Sequence, residues 1–465
     1  MSARLRIPAA AVAILFVAAL AVAAPSRASQ PDRRLNVVLI VSDDQTYDSL
    51  PHDPPTMPKF QAVLQDPSEP WIRFPNAFID TPLCCPSRAS ILTGEYSRHT
   101  GVVDNDSGVN LDTTRTLATA LQSAGYTTAL VGKYLNRYPF GFAPVAPPGW
   151  DVWLAKLTGS RHSVYYRYTV TDAGFTVPHG TGARNYSTDV LGRAATSFLL
   201  NVPTSRPFFL MFTPMAPHAP RVPARRYRDT WTAPLRWPPS FDERDVSDKP
   251  AWVRALPTFS RREAENLREA RRRSYETLGA LDDAVASILA VLRSRGLLDR
   301  TVVFFLTDNG FSFGEHRWVT KSCPYDECIR TPFFVRYPGA ESSSNDDPVS
   351  NIDLAPTIAD LAGATLEEPV DGRSLVPLLR GRRPRGWRHG TLSEFRGNGL
   401  IPGWFEMRTP RFAYVEYVTG ERELYDLTGV RGPPDPYELR NVADSSRYRP
   451  IRSRLAAELR TARAG

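Results

Sequence analysis

Four short stretches of this sequence carry residue types that do chemistry. The first, Leu83–Gly94, reads Leu-Cys-Cys-Pro-Ser-Arg-Ala-Ser-Ile-Leu-Thr-Gly. Pro86 suits the first turn of a helix, where its missing N–H costs nothing, and Gly94 suits the end of one. Ser87 to Leu92 therefore reads as helix, with Cys84 at or just before its N-terminus. Free N–H groups and the helix dipole favour an anion there, and Arg88 adds positive charge one turn on. The chemistry on offer is a reactive sulfur in an anion-binding pocket. The plainer alternative is a buried or disulfide-bonded pair, Cys84 with Cys85, beside a helix cap. Asp43-Asp44 and Asp308-Asn309 are the second and third stretches. Adjacent carboxylates repel unless a cation neutralises them, although a strand-end turn explains either pair taken alone. Together these four offer hard carboxylate and amide oxygens, which select Ca2+ (or Mg2+) over zinc. The fourth stretch, Pro214–Pro220, holds His218 in a loop stiffened by prolines, placed to donate a proton or a hydrogen bond, although a surface-loop histidine is the plainer reading of the stretch taken alone.

Each stretch needs an element to deliver it. Asn36–Val41 is a continuous apolar run, the pattern of a buried parallel strand, and it leads into Asp43-Asp44. Thr301–Leu306 does the same for Asp308, and Pro207–Phe212 for His218. Thr128–Val131 is a fourth such strand, preceded by a helix over Thr116–Gly125 and followed by Gly132-Lys133. Ser187–Leu200 reads as helix. Ser260 caps a longer one to about Ser294, with Leu278, Leu281, Val285, Ile288 and Leu292 on its core face. The arginines at its start (Arg261, Arg262, Arg268, Arg271, Arg272, Arg273) read as a solvated face. Strands alternating with helices give an α/β fold with a mainly parallel sheet. Residues 140–185 and 221–258 read as loops that set specificity, the second lying over the cleft. Beyond a basic joint at Arg380–Arg388, short strands at Trp404–Met407, Phe412–Tyr417 and Glu423–Leu427 precede a final helix, Arg449–Arg463. The expected organisation is thus a large domain over 35–380 and a smaller α+β subdomain over 389–465.

Residues 1–28 have the makeup of a secretory signal peptide. Arg4 and Arg6 precede an apolar run from Ile7 to Ala24, with small residues at Ala21, Ala23 and Ala28. An uncleaved anchor helix is the competing reading. No later stretch is apolar enough to insert stably in a membrane. The formal charge of +8 includes three arginines in the leader, so the remainder is mildly basic. That suits an anionic substrate and is too diffuse for nucleic acid. The 4 cysteines form two close pairs. Export permits disulfides, and Cys323 with Cys328, around Pro324, is the better bridge; two free thiols are the alternative. A zinc site from all four has the wrong spacing.

Leu83–Gly94 resembles the signature of the type I sulfatases, an alkaline-phosphatase-like family. Gly132-Lys133-Tyr134-Leu135-Asn136 and Pro148-Gly149-Trp150 resemble most its N-acetylglucosamine-6-sulfatase and extracellular endosulfatase branch. The resemblance implies that Cys84 is converted to Cα-formylglycine by a formylglycine-generating enzyme. It implies a calcium site at Asp43, Asp44, Asp308 and Asn309, with residue 84 facing the ion. It also implies sulfate contacts from Lys133, Lys321 and Arg88, with His218 or Lys321 as the acid at the leaving oxygen. Many members carry a histidine where this chain has Leu135. The implied activity is hydrolysis of a sulfate monoester, on an aryl sulfate or a sulfated glycan, by a secreted or cell-envelope enzyme. Two rivals remain: a phosphodiesterase or phosphonate monoester hydrolase of the same superfamily, and an inactive secreted glycan-binding protein.

Overall fold

The computed structural model describes residues 34–50, 52, 54–158 and 163–465. The expected signal segment, 1–28, lies outside the described residues. A ten-stranded sheet forms the centre. Its five middle strands are all parallel, in the order Thr301–Thr307, Asn36–Ser42, Phe208–Thr213, Thr127–Gly132, Val152–Lys156. Antiparallel Phe334–Arg336 continues the sheet on one side, and a hairpin of Thr169–Asp172 and Phe175–Pro178 on the other.

Alternation along the strands splits the apolar side chains between two cores. Val37, Leu39 and Val41 face one, and Val38 and Ile40 the other. Both faces are buried, which is why the strand is apolar throughout. The helix Arg261–Ser294 covers the second face beside Ser187–Asn201. Ser260 Oγ accepts from the Glu263 N–H while the Glu263 carboxylate accepts from the Ser260 N–H, closing a capping box. Leu278, Leu281, Val285, Ile288 and Leu292 are fully buried beneath it. Its start is not uniformly solvated, however. Arg271 is buried, pairs with Asp48 and approaches Glu315, so that arginine is structural. The first face is covered by Cys84–Thr93, Leu117–Ser123 and Leu354–Ala362.

A separate four-stranded antiparallel sheet follows in chain order: Thr391–Phe395, Trp404–Arg408, Phe412–Tyr417, Arg422–Asp426. The helix Arg449–Ala464 packs against it. Its first strand was not legible in the sequence. The sheet is tied to the rest of the chain by ion pairs and hydrogen bonds, Arg98 to Glu394 and Arg408 to Asp326 among them. The expected linker is itself docked, with Trp387 in the main core and Arg388 on Asp353. Among the described residues no helix is long and apolar enough to cross a membrane.

Candidate active site

The parallel strands end level with one another. Ser42 is paired with Thr307, and Gly132 with both Thr213 and Ala155. Asp43-Asp44, Asp308-Asn309, Lys133 and Lys156 therefore emerge at one edge of the sheet, the C-terminal edge where parallel sheets hold ligands. Gly132 permits this closeness. Its φ is +133°, and a Cβ there would lie 2.2 Å from the Thr213 carbonyl oxygen.

The helix Cys84–Thr93 brings Cys84 to that edge. Leu83 precedes it in extended conformation, and Gly94, at φ +80°, closes it in the left-handed region. All ten helical residues are buried, and the serines of the helix have specific partners: Ser90 Oγ donates to Asp80, and Asn351 reaches Ser87. One N–H of the first turn is not available to an anion. The Cys85 N–H already donates to Asn105 Oδ1 at 3.0 Å.

Cys84 Sγ lies 3.4 Å from Asp43 Oδ1 and 3.9 Å from Asp44 Oδ1. Lys321 Nζ donates to that sulfur at 2.8 Å and to Asp44 Oδ1 at 2.5 Å. Lys133 Nζ donates to Asp43 Oδ2 at 2.7 Å. Arg88 points at the carboxylates and not at an open pocket. Its Nε donates to Asp308 Oδ2 at 2.8 Å and one terminal nitrogen to the Lys133 carbonyl at 2.9 Å. The other stands 3.6 Å from Asp43 Oδ2. His218 Nδ1 is 2.6 Å from the Ala219 carbonyl, which only accepts, so Nδ1 is assigned the proton and Nε2 faces Asp44 Oδ2 at 3.7 Å.

These contacts set the charges. Burial alone pushes Asp43 up, but Lys133, His218, Arg88 and Lys321 outweigh it and hold the carboxyl well below the usual range. At Asp308, burial and then the charge of Asp43 prevail over Arg88 and Lys133, and its pKa is raised. Burial and Asp43 hold the Cys84 thiol far above its ordinary value, so the sulfur stays protonated and is a poor nucleophile as it stands.

The sulfatase family's sequence model matches residues 35–364, and that of the C-terminal region of N-sulphoglucosamine sulphohydrolase matches 314–465. The N-acetylglucosamine-6-sulfatase of Capra hircus is 33% identical, over 90% of this chain and 82% of its own. This chain belongs to the sulfatase family. An extracellular sulfatase from Drosophila melanogaster is 32% identical over 79% of this chain, which spans only 34% of that longer relative. Among solved structures, the phosphonate monoester hydrolase of Agrobacterium radiobacter superposes with a TM-score of 0.75 at 25% identity, over 93% of this chain and 96% of its own. The fold is accordingly alkaline-phosphatase-like, and the enzyme is a sulfuric ester hydrolase.

This sulfatase's acidic cluster fits a cation. Asp43, Asp44, Cys84 and His218 each place a ligand-type atom within 4.8 Å of the other three. Asp308 joins them by accepting from the Asp44 N–H at 3.2 Å. Asn309 Oδ1 is buried there without a hydrogen-bond partner, while its Nδ2 donates to Asp44 Oδ1 at 2.7 Å. A buried orphan oxygen beside three carboxylates is what a hard cation satisfies.

Beside the cluster opens a cleft of about 270 Å3, lined in part by Lys133, His218, Asn136, Arg137 and Lys156. No residue of 221–258 lines it, so the expectation that this segment lies over the cleft is corrected. Most of that segment packs away from the cleft, with Glu243 on His316 at 2.7 Å and Tyr227 on Asp283 at 2.8 Å, while Arg221 at its start is buried within reach of the charge of Asp44. The sequence does not mark Lys156, which ends a strand where Lys133 follows one. Cys323 and Cys328 are disulfide-bonded, with Cys84 and Cys85 free. The bridge is one of several restraints near Lys321. Its carbonyl accepts from the Trp318 indole at 2.9 Å, and the Ser322 carbonyl accepts from Trp404 at 2.9 Å.

Proposed function

We propose that this enzyme removes sulfate from a sulfated sugar of the N-acetylglucosamine 6-sulfate class, outside the cytoplasm, with residue 84 as formylglycine and one bound Ca2+. The observation that carries the reading is the convergence of Cys84, Lys321, Lys133 and the Asp43-Asp44 pair at one strand edge. A formylglycine at 84 supplies a hydrated aldehyde as nucleophile, and a cation held by Asp43, Asp44, Asp308 and Asn309 supplies fixed positive charge.

The chain's own residues account for the rest. Lys321 touches the residue 84 side chain, and Lys133 reaches the same cluster through Asp43, so the two ammonium groups take the non-bridging oxygens of the ester. Arg88 holds Asp308 in place and positions the Lys133 backbone. With Lys321 on the nucleophile side, His218 is left to protonate the departing alcohol. It is partly exposed to the cleft, and the Ala219 carbonyl holds Nδ1–H, so Nε2 faces the reacting centre and gives up its proton from the doubly protonated ring, which is left as the neutral Nδ1–H imidazole. Secretion is supported by the leader-like residues 1–28 and by the extracellular relative.

Mass analysis of the peptide spanning Cys84 in active protein tests the reading, together with turnover by Cys84→Ala. Formylglycine at residue 84 and loss of hydrolysis in a folded variant are expected. An unmodified thiol in fully active protein refutes the mechanism. Paired assays on an aryl sulfate and an aryl phosphonate separate this activity from that of the structurally similar phosphonate monoester hydrolase.

A further inference from the structure

Lys156 is a buried cation at the cleft to which the reaction assigns no task. It ends the strand Val152–Lys156, one position beyond the Gly132–Ala155 pair, so Lys133 and Lys156 leave adjacent parallel strands side by side. Each is 1% exposed, and both line the cleft with His218. Their surroundings differ. Lys133 has the Asp43 carboxylate at 2.7 Å. Lys156 Nζ has two backbone carbonyls, of Ser163 at 3.0 Å and Leu157 at 3.4 Å, and the ring of Tyr168 with its centroid 5.3 Å away.

Among the described residues no carboxylate pairs with Lys156. Among the described residues, two neutral acceptors and the Tyr168 ring leave one of its three N–H donors without an acceptor and most of its charge without a counter-ion, a costly state for a buried ammonium. Burial first, and then the charge of Lys133, lower it to about 7; a docked anion would offset both effects. Arg137, on the same cleft, is already paired with Asp106 at 2.7 Å. The sheet order also separates Lys156 from the reacting group. It sits one strand beyond Lys133, on the side away from Asp43 and Cys84, about 5 Å across the sheet. That is too far out for the ester under attack and well placed for a neighbouring substituent of the same sugar.

We propose that Lys156 binds a second anionic substituent of the sugar, a sulfate or carboxylate other than the ester being cleaved, and so sets a preference for doubly charged substrates. The proposal rests on the sulfated-sugar reading above.

The test compares wild type and Lys156→Met on N-acetylglucosamine 6-sulfate and on glucosamine 2-N,6-O-disulfate, which differ in the second anion. The ratio of kcat/KM for the disulfate over the monosulfate should fall about 10- to 100-fold in the variant, the range for a hydrogen bond to a charged group. Methionine keeps the stem and removes a buried charge, so the melting temperature should not drop. An unchanged ratio, or equal loss on both sugars, overturns the proposal. If wild type turns over neither sugar, the sulfated-sugar reading fails on its own. Lys156 is then decided by calorimetric titration of both sugars into Cys84→Ala with and without Lys156→Met. An affinity gain from the second anion that vanishes with Lys156 supports the proposal, and no such gain overturns it.

Discussion

Arg88→Met removes the positive charge that braces the acidic cluster. The guanidinium is completely buried, 2.8 Å from Asp308 Oδ2 and 3.6 Å from Asp43 Oδ2. Methionine keeps an unbranched stem of similar length, so the main loss is electrostatic. Removing one partner of a buried ion pair costs about 3–5 kcal/mol, because the other charge is left uncompensated. Asp308 has an escape. Its pKa is already raised by burial and by Asp43, so it takes up a proton readily, and the cost should sit near the lower end, about 3 kcal/mol. For a chain of this length the unfolding entropy is about 0.9 kcal/mol per degree, so the melting temperature should fall by about 3 °C. The measurement is scanning calorimetry in chelator, since a cation at the same carboxylates would mask part of the deficit. Asp308→Asn in the Arg88→Met background removes the orphaned charge and should recover at least about 1 kcal/mol, a coupling that contacting residues show. A melting temperature within about 1 °C of wild type, or no recovery in the double variant, would refute the view that Arg88 and Asp308 stabilise each other.

Two further outcomes follow from the same geometry. Chelation should stop turnover, and Ca2+ should restore it better than Zn2+. Recovery with zinc instead would mean that the nitrogen of His218 and a sulfur at Cys84 are ligands, which a formylglycine at 84 does not allow. Asp80, buried against Ser90 and Asn351, has its pKa raised to about 6 by burial. An acid raised above its unfolded value of 3.8 is protonated at low pH in both states, so it costs nothing there. It costs up to about 3 kcal/mol as pH rises through 4–6. The melting temperature of wild type relative to Asp80→Asn should therefore decline by about 3 °C between pH 4 and pH 7; a constant difference would show that Asp80 does not titrate in that window.

The strands that deliver the acidic pairs, Lys133 and His218 are legible as apolar runs, whereas the choice of those side chains and of Cys84 as a site comes from their resemblance to the sulfatase signature. A strand buried on both faces announces itself without knowledge of its partners. Lys156 was hidden by a weaker strand. Its apolar run, Val-Trp-Leu-Ala, is only four residues long and lies inside the 140–185 stretch that reads as a loop, and in the structure Val152 is exposed and Leu154 half-buried. Thr391–Phe395 was missed because buried polar residues break its pattern. Glu394 and Ser393 are satisfied by Arg98 and by the Ile79 carbonyl, about 300 residues away in sequence. Arg271 was misread as solvated for the same reason, since nothing near it in sequence reveals Asp48. The 221–258 segment was misplaced because composition shows that a loop is long but not which surface it covers.

The balance of charge at the strand edge gives these contacts an order. Asp43, Asp44 and Asp308 face Arg88, Lys133 and Lys321, three buried carboxylates against three cations, so the folded site is close to neutral. A neutral site has little reason to take up a sulfate monoester. A divalent cation among the same carboxylates raises it to about +2, an electrostatic reason to hold an anion. The three native cations are not equivalent in that exchange. Arg88 is fixed by both Asp308 and the Lys133 carbonyl, with one terminal nitrogen left 3.6 Å from Asp43. Lys133 and Lys321 each rest on one carboxylate that a cation would share, and each is then available to an ester oxygen. Cation and sulfate should therefore bind with positive coupling, each raising the affinity of the site for the other. Lys156 stands outside the exchange because it has no carboxylate to surrender. An anion held there would meet the reacting centre only through the charges of Lys133 and Asp43, which sets recognition of the sugar apart from the carboxylates that assemble the centre.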